Sequence, residues 1–176
     1  MDKKDLRKFI RMQKSMFSNE KLDELSQPII KRLLAHPRVK NAHTILMYYS
    51  LQDEVNTHDV INQLVKDGKT VLLPAVLSDT EMELRIYESA KDLVGGFFNI
   101  MEPVGKLFSQ YEKIDTAVVP GMAFDSRCNR LGRGKGYYDR LLPKLPDAYK
   151  IGVCFDFQKL PGIPADENDV KMDEVL

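Results

Sequence analysis

Between Asn129 and Asp139 the chain reads Asn-Arg-Leu-Gly-Arg-Gly-Lys-Gly-Tyr-Tyr-Asp. Gly132, Gly134 and Gly136 alternate, so the backbone there can bend tightly and approach a ligand closely. Arg130, Arg133 and Lys135 place cations around that bared backbone. Exposed N–H groups beside cations suit a polyanion, most obviously the phosphate tail of a nucleotide. Asp139 closes the run with a hard oxygen suited to Mg²⁺. A solvated glycine-rich turn would also carry glycine and charge. The adjacent Tyr137 and Tyr138 count against that reading, because a solvated turn rarely holds two neighbouring aromatics.

Neither common phosphate motif is present. Gly-x-x-x-x-Gly-Lys-Ser/Thr does not occur, and the glycines are spaced Gly-x-Gly-x-Gly rather than Gly-x-Gly-x-x-Gly. Cys128 and Cys154 lie far apart with no Cys-x-x-Cys pair, which argues against a disulfide scaffold or a zinc site and fits a reducing cytoplasm. His36, His43 and His58 share no ligand spacing and read as surface or packing residues.

The elements that must position the glycine-rich run follow from periodicity. Residues 2–17 read as an amphipathic helix, with Lys3 and Arg7 on one face. Ser18 or Asn19 can cap a second helix carrying Leu22, Leu25, Ile29, Leu33 and Leu34, which Pro28 is expected to kink or split. Residues 43–49 form an apolar run without helical period, expected as a buried strand. Thr57 is expected to cap a helix with Val60, Ile61, Leu64 and Val65 inward, ended by Gly68. Further strands are expected at Thr70–Leu73, at Met82–Tyr87 in an edge position, at Ile114–Val119 and at Tyr149–Phe155. A short helix should start inside the glycine-rich loop. Helices alternating with buried strands predict a single-domain α/β protein over residues 1–176, a three-layer α/β/α arrangement with a mainly parallel central sheet. Ligands in such sheets bind beyond the carboxyl ends of strands. The loop from Gly121 to Arg133 leaves one of those ends.

Composition sets the outer limits. The 176 residues suit one domain, and 43% hydrophobic with 30% charged residues is ordinary globular material. The formal net charge of zero gives no support to a nucleic-acid or anionic-membrane role. Charged residues fill the first twenty positions, so no signal peptide is expected, and no apolar run reaches membrane-spanning length.

The longest pattern is specific. Pro120-Gly121-Met122-Ala123-Phe124-Asp125, followed by Arg130-Leu131-Gly132-x-Gly134-x-Gly136-Tyr137-Tyr138-Asp139-Arg140, resembles the signature of the 5-formyltetrahydrofolate cyclo-ligase (methenyltetrahydrofolate synthetase) family. Lys3-x-x-Leu6-Arg7, Ser50-x-x-x-Glu54-Val55-x-Thr57, and Ile163-Pro164 followed by Asp169-Val170-x-Met172-Asp173 resemble its other motifs, in the family's order. The resemblance implies a Mg²⁺-requiring enzyme of the cytoplasm, expected as a monomer. Its small-molecule substrates would be 5-formyltetrahydrofolate and ATP, and its products 5,10-methenyltetrahydrofolate, ADP and phosphate.

It implies, too, that Lys3 and Arg7 contact ATP phosphates, with Arg7 also near the folate. Arg130, Leu131, Gly132, Arg133, Gly134, Lys135, Gly136, Tyr137 and Tyr138 would wrap ATP, and Arg133 to Tyr137 would also border the substrate. Asp139 and Asp169 match the Mg²⁺ positions. Tyr49, Glu54 and Phe98 would face the folate, and Arg133, Lys135 and Glu54 would carry the chemistry. Without the family, Lys3 and Arg7 read as solvated helix charges, Asp169 as a turn residue, and Tyr49 and Phe98 as core. The alternatives are another ATP-dependent enzyme, such as a small-molecule kinase, and a non-catalytic nucleotide- or folate-binding module. A kinase would leave phosphate on its product, and the intact Asp139, Asp169, Lys135 and Glu54 argue against the module. One departure concerns Cys128, which stands where the family usually has glycine. If that position takes a positive φ, cysteine is strained there. Arg127 and Arg130 nearby would favour a reactive thiolate, the alternative being an inert, half-buried thiol.

Overall fold

Strands β1 (Thr44–Leu46), β2 (Thr70–Val76) and β7 (Thr116–Pro120) send successive side chains to opposite faces, and both faces are apolar. Ile45, Val71, Leu73 and Val118 enter one core cluster. Their neighbours Leu46, Leu72, Ala117 and Val119 enter another. Strands buried on both sides need covering elements on both sides. In the computed structural model, which describes residues 1–176 apart from the side chain of Asn99, helices provide that cover.

Helix α1 (Lys3–Ser15) opens the chain, capped by Asp2, whose Oδ1 accepts from the Asp5 N–H at 2.8 Å. Helix α2 (Asn19–Ala35), capped by Ser18, and α4 (His58–Lys66) pack on the first face through Leu22, Ile29, Leu33, Val60, Ile61 and Leu64. Between them lies the short α3 (Pro37–Lys40). Helix α5 (Tyr137–Leu141) and the turn after it cover the second face with Leu141, Leu142 and Leu145.

The remaining strands are β3 (Met82–Tyr87), β4 (Leu93–Gly95), β5 (Met101–Pro103), β6 (Leu107–Phe108), β8 (Ala123–Asp125), β9 (Arg130–Leu131), β10 (Tyr149–Val153), β11 (Lys159–Leu160) and β12 (Glu174–Val175). The main sheet has seven strands in the order β12-β10-β7-β1-β2-β3-β6. Pairing is parallel from β12 to β2 and antiparallel at β3 and β6. The expected three-layer, mainly parallel architecture is what forms. From β1 the chain winds outward through β2 in one direction, and from β7 through β10 in the other. The carboxyl ends of β1 and β7 therefore flank the point where the winding reverses, the usual place for a ligand crevice in open sheets.

Several local expectations differ from the structure. Pro28 does not split α2, which runs unbroken past it. The proline is exposed, as is Glu24, whose carbonyl loses its partner, so water can take that hydrogen bond. The 43–49 run pairs only over Thr44–Leu46, although the Met47 N–H still reaches the Leu72 carbonyl at 2.9 Å. Strand β3 is not the edge, because the two-residue β6 lies outside it. The segment from Gly121 to Arg133 is not a plain loop. Its β8 and β9 pair antiparallel and, with β11, form a second sheet under α1.

Candidate active site

The glycine-rich loop runs from the end of β9 to the start of α5. Gly134 has φ +107° and Gly136 φ +71°, values that L side chains adopt only with strain. A Cβ at Gly136 would also lie 2.8 Å from Arg140 Nη1. The loop is braced from three sides. The Arg7 Nε donates to the Gly132 carbonyl at 2.7 Å. Arg140 donates to the carbonyls of Lys135 and Thr80, and the Tyr137 hydroxyl donates to the Ser78 carbonyl at 3.0 Å. Arg130 turns inward, its Nε donating to the Pro120 carbonyl at 2.6 Å and its guanidinium lying 4.8 Å over the Tyr138 ring. Burial depresses the Arg130 pKa against the pull of Tyr138, Asp139, Glu54 and Asp169, and burial raises that of the Tyr138 phenol. The Leu131 side chain is core, so only its backbone can meet a ligand. Arg133 and Lys135 are both exposed, and Arg133 borders a cavity that Glu54 also lines.

Facing the loop is the segment after β1. Thr57 does not cap α4 with its side chain. Its hydroxyl donates to the Tyr48 carbonyl at 2.6 Å and accepts from the Ser50 N–H at 3.1 Å, while Ser50 Oγ accepts from the Thr57 N–H at 3.0 Å. Asn56 Oδ1 takes the His58 N–H instead, at 3.0 Å. This lock fixes the turn that carries Glu54, whose Oε1 accepts from the Leu51 N–H at 2.8 Å. Glu54 Oε2 then stands 3.6 Å from Arg133 Nη2, and Asp53 Oδ1 stands 3.5 Å from the same nitrogen. Tyr49 stacks on His58 with ring centroids 3.8 Å apart.

A cavity of about 640 Å³ opens between these groups. Glu54, Tyr49, Arg133 and Tyr138 line it, together with the β4–β5 hairpin. Phe98 sits at the tip of that hairpin and borders the cavity, but it is 95% exposed and has φ +58°. It is therefore a projecting wall and not core.

The two carboxylates matched to Mg²⁺ come from distant segments that meet. Asp139 Oδ1 accepts from the Val170 N–H at 3.1 Å, next to Asp169. Asp169 Oδ2 accepts from Lys3 Nζ at 2.6 Å, and Asp166 Oδ2 from the same amine at 3.3 Å. These bonds raise the Lys3 pKa, Asp169 first among them. Among the described residues no His, Cys, Asp and Glu side chains form a ready three-ligand metal cluster. Mg²⁺ commonly takes one or two carboxylates and fills its sphere with water and phosphate oxygens, so this donor set fits it.

Cys128 has φ +62°, the glycine-like conformation its place in the motif suggested, and its half-buried side chain packs on the second core cluster. Sequence reasoning missed Asp53, the buried Lys14 beneath it, and the Glu83–Arg85 pair on the cavity wall, closed at 2.6 Å. Lys14 carried a signal, since it continues the buried Leu6–Ile10 stripe of α1.

Comparison with known proteins bears on the family and the fold. The model of the 5-formyltetrahydrofolate cyclo-ligase family matches residues 1–176. A mouse (Mus musculus) protein named 5-formyltetrahydrofolate cyclo-ligase is 31% identical over 99% of this chain and 92% of its own. The solution structure of 5,10-methenyltetrahydrofolate synthetase from Aquifex aeolicus superposes with a TM-score of 0.86 at 35% identity, covering 99% of this chain and 89% of that one. A 5,10-methenyltetrahydrofolate synthetase from Mycoplasma pneumoniae gives 0.82 at 31% identity, covering 99% and 98%. A match that runs the whole length, at the level of sequence motif and of sheet topology together, makes the chain a member of the 5-formyltetrahydrofolate cyclo-ligase family.

Proposed function

We propose that the protein catalyses the ATP- and Mg²⁺-dependent cyclisation of 5-formyltetrahydrofolate to 5,10-methenyltetrahydrofolate, releasing ADP and phosphate. One observation carries the reading beyond family membership. Arg133 of the glycine-rich loop stands 3.6 Å from Glu54, on the wall of the cavity, so the glycine-rich loop and the cavity meet at one centre, as a reaction between ATP and a folate would require. The reading takes residues 1–176 as one catalytic domain, working as a cytoplasmic monomer.

Cyclisation must expel the formyl oxygen, which leaves poorly as hydroxide. In the proposed reaction that oxygen attacks the γ-phosphorus of ATP and the bond to ADP breaks. N10 then bonds to the activated carbon, its proton is released, and the oxygen departs as inorganic phosphate. Such chemistry needs positioning and charge neutralisation more than a protein nucleophile. Arg133 and Lys135 are the exposed loop cations that would meet the transferring phosphate. The backbone N–H groups of Gly132 to Tyr138 would cradle the phosphate tail, supported by Lys3 and Arg7. Arg7 commits its Nε to Gly132 and so holds the loop as well. Arg130, turned inward, serves by holding the loop against Tyr138. Asp139 and Asp169 would hold Mg²⁺, which when bound neutralises phosphate charge. Tyr49 and Phe98 would flank the folate rings and Glu54 would hold the formyl end.

The deciding experiment follows the absorbance of the methenyl product with purified protein, with and without ATP and Mg²⁺, alongside free phosphate. Product and phosphate appearing together only when both are present supports the reading. A phosphorylated product with no free phosphate would mark a kinase, and no turnover by folded protein refutes the assignment.

A further inference from the structure

Helix α1 buries a charge that its packing does not need. Its inward stripe runs Leu6, Ile10, Lys14, and the lysine is only 5% exposed. The ammonium makes no hydrogen bond among the described residues, and its ion-pair partner Asp53 Oδ2 lies 3.5 Å away, at the limit of useful contact. Burial lowers the Lys14 pKa, Asp53 and Glu54 oppose that shift, and Arg133 adds to it. Removing an ammonium from water costs several kcal/mol, and its one partner, a carboxylate that is 45% exposed, offsets little of that and can return to water if the amine is removed. Stability therefore does not account for a lysine at this position.

The charges around it do. Asp53 stands between two cations, with Oδ2 at 3.5 Å from Lys14 Nζ and Oδ1 at 3.5 Å from Arg133 Nη2. The same arginine nitrogen is 3.6 Å from Glu54 Oε2. Along this row the signs alternate. Without Lys14, two adjacent carboxylates would share a single guanidinium, with no second cation drawing on either. With Lys14 drawing on Asp53, Arg133 keeps only long contacts and remains 45% exposed on a glycine-flanked loop, able to turn outward. We infer that Lys14 is a positioning residue: by sharing Asp53, its amine keeps Arg133 free to reach an anionic ligand. The inference rests on the proposed reading in that the ligand is taken to be the phosphate of ATP.

Three variants and one titration test it. Lys14→Met is expected to fold with a midpoint at or above that of the parent, while kcat/KM for ATP falls about tenfold, a coupling of the size seen between neighbouring charges. Adding Asp53→Asn should restore most of the loss, because Arg133 then faces Glu54 alone. Adding Lys14→Met to Arg133→Ala should cost nothing further. A loss that persists with Asp53→Asn, or that adds in full to Arg133→Ala, overturns the inference and makes Lys14 merely structural. Absence of product from the parent refutes the proposed activity separately. The charge linkage is then decided by NMR titration of the Lys14 ε-carbon, whose midpoint should fall in Asp53→Asn and rise in Arg133→Ala. A midpoint unmoved in both overturns the linkage. The same spectra decide the matter if Lys14→Met does not fold, since the Asp53 and Arg133 side chains are each 45% exposed and replaceable.

Discussion

Replacing Glu54 by glutamine should separate the two substrates. The side chain is 11% exposed and makes two contacts of different kinds. Oε1 accepts from the Leu51 N–H at 2.8 Å, a bond that an amide oxygen can also accept. Oε2 faces Arg133 at 3.6 Å, and that partner is 45% exposed, so the lost ion pair is screened and contributes at most about 1 kcal/mol. Turning a charge-assisted bond into a neutral one removes about another 1 kcal/mol. Glu54→Gln should therefore lower Tm by a few degrees, roughly 4–8 °C for about 2 kcal/mol in a domain of this size. If the carboxylate holds the formyl end in the transition state, the catalytic loss is larger, on the order of 2–4 kcal/mol in kcat/KM, or about 30- to 1,000-fold. The assay pairs a thermal melt with separate titrations of ATP and 5-formyltetrahydrofolate and with the product absorbance. The expected pattern is near-normal ATP affinity, weakened use of the folate and a modest loss of stability. Lost ATP affinity with intact folate affinity would refute the role assigned to Glu54.

Arg133→Ala and Lys135→Ala should each reduce kcat/KM by about 2–4 kcal/mol while shifting Tm little, because both are exposed on the glycine-rich loop; near-normal turnover in both would show the loop to be structural. Asp125 offers a pH test. Burial works to raise its carboxyl pKa, but hydrogen bonds from the Asn129 side chain and backbone, and from the backbone of Ile163 and Arg127, outweigh it and hold the value below 3.8. A depressed folded value means stability present above pH 3.8 and lost as pH falls through the folded value, so Asp125→Asn should flatten the acid limb of a Tm-against-pH curve, and an unchanged limb would refute the role. Cys128, at φ +62°, should tolerate glycine better than alanine by about 1 kcal/mol in denaturant unfolding, since alanine keeps the backbone strain and loses the sulfur; equal stabilities would remove strain from the account. If its thiol is reactive, bound ATP should slow alkylation there, as read by mass spectrometry, and equal rates would place it away from the nucleotide.

What the sequence made legible was local. The need for glycine at 134 and 136 is a property of single residues, and the positive φ at Cys128 followed from its place in the motif. The parallel sheet was legible because strands buried on both faces form continuous apolar runs. Features that depend on partners far along the chain were not. Two-residue strands such as β6, β9 and β11 carry no period. Thr57 looks like a cap by type, yet its hydroxyl is claimed by Tyr48, nine residues back. Pro28 breaks helices as a rule, but its exposed position removes most of the penalty. The motifs named Lys3, Arg7, Glu54 and Asp169 as site residues without saying which of them touch one another.

Those contacts give α1 a role that no single motif suggests. Lys3 reaches Asp169 and Asp166 near the C-terminus, Arg7 holds the carbonyl of Gly132, and Lys14 pairs with Asp53 after β1. At 1.5 Å of rise per residue, these cations lie along roughly 16 Å of one helix. On the helical wheel they fall within the same arc as Leu6 and Ile10, which are anchored against Met122, Ala123, Leu131 and Ile163. One rigid element thus touches the carboxylates matched to the metal, the glycine-rich loop and the acidic pair at the cavity. A helix bound this way cannot shift at one end without altering the charge balance at the other. The site is therefore best understood as three loops registered against one helix, with Ile10, fully buried at its middle, as the fixed point.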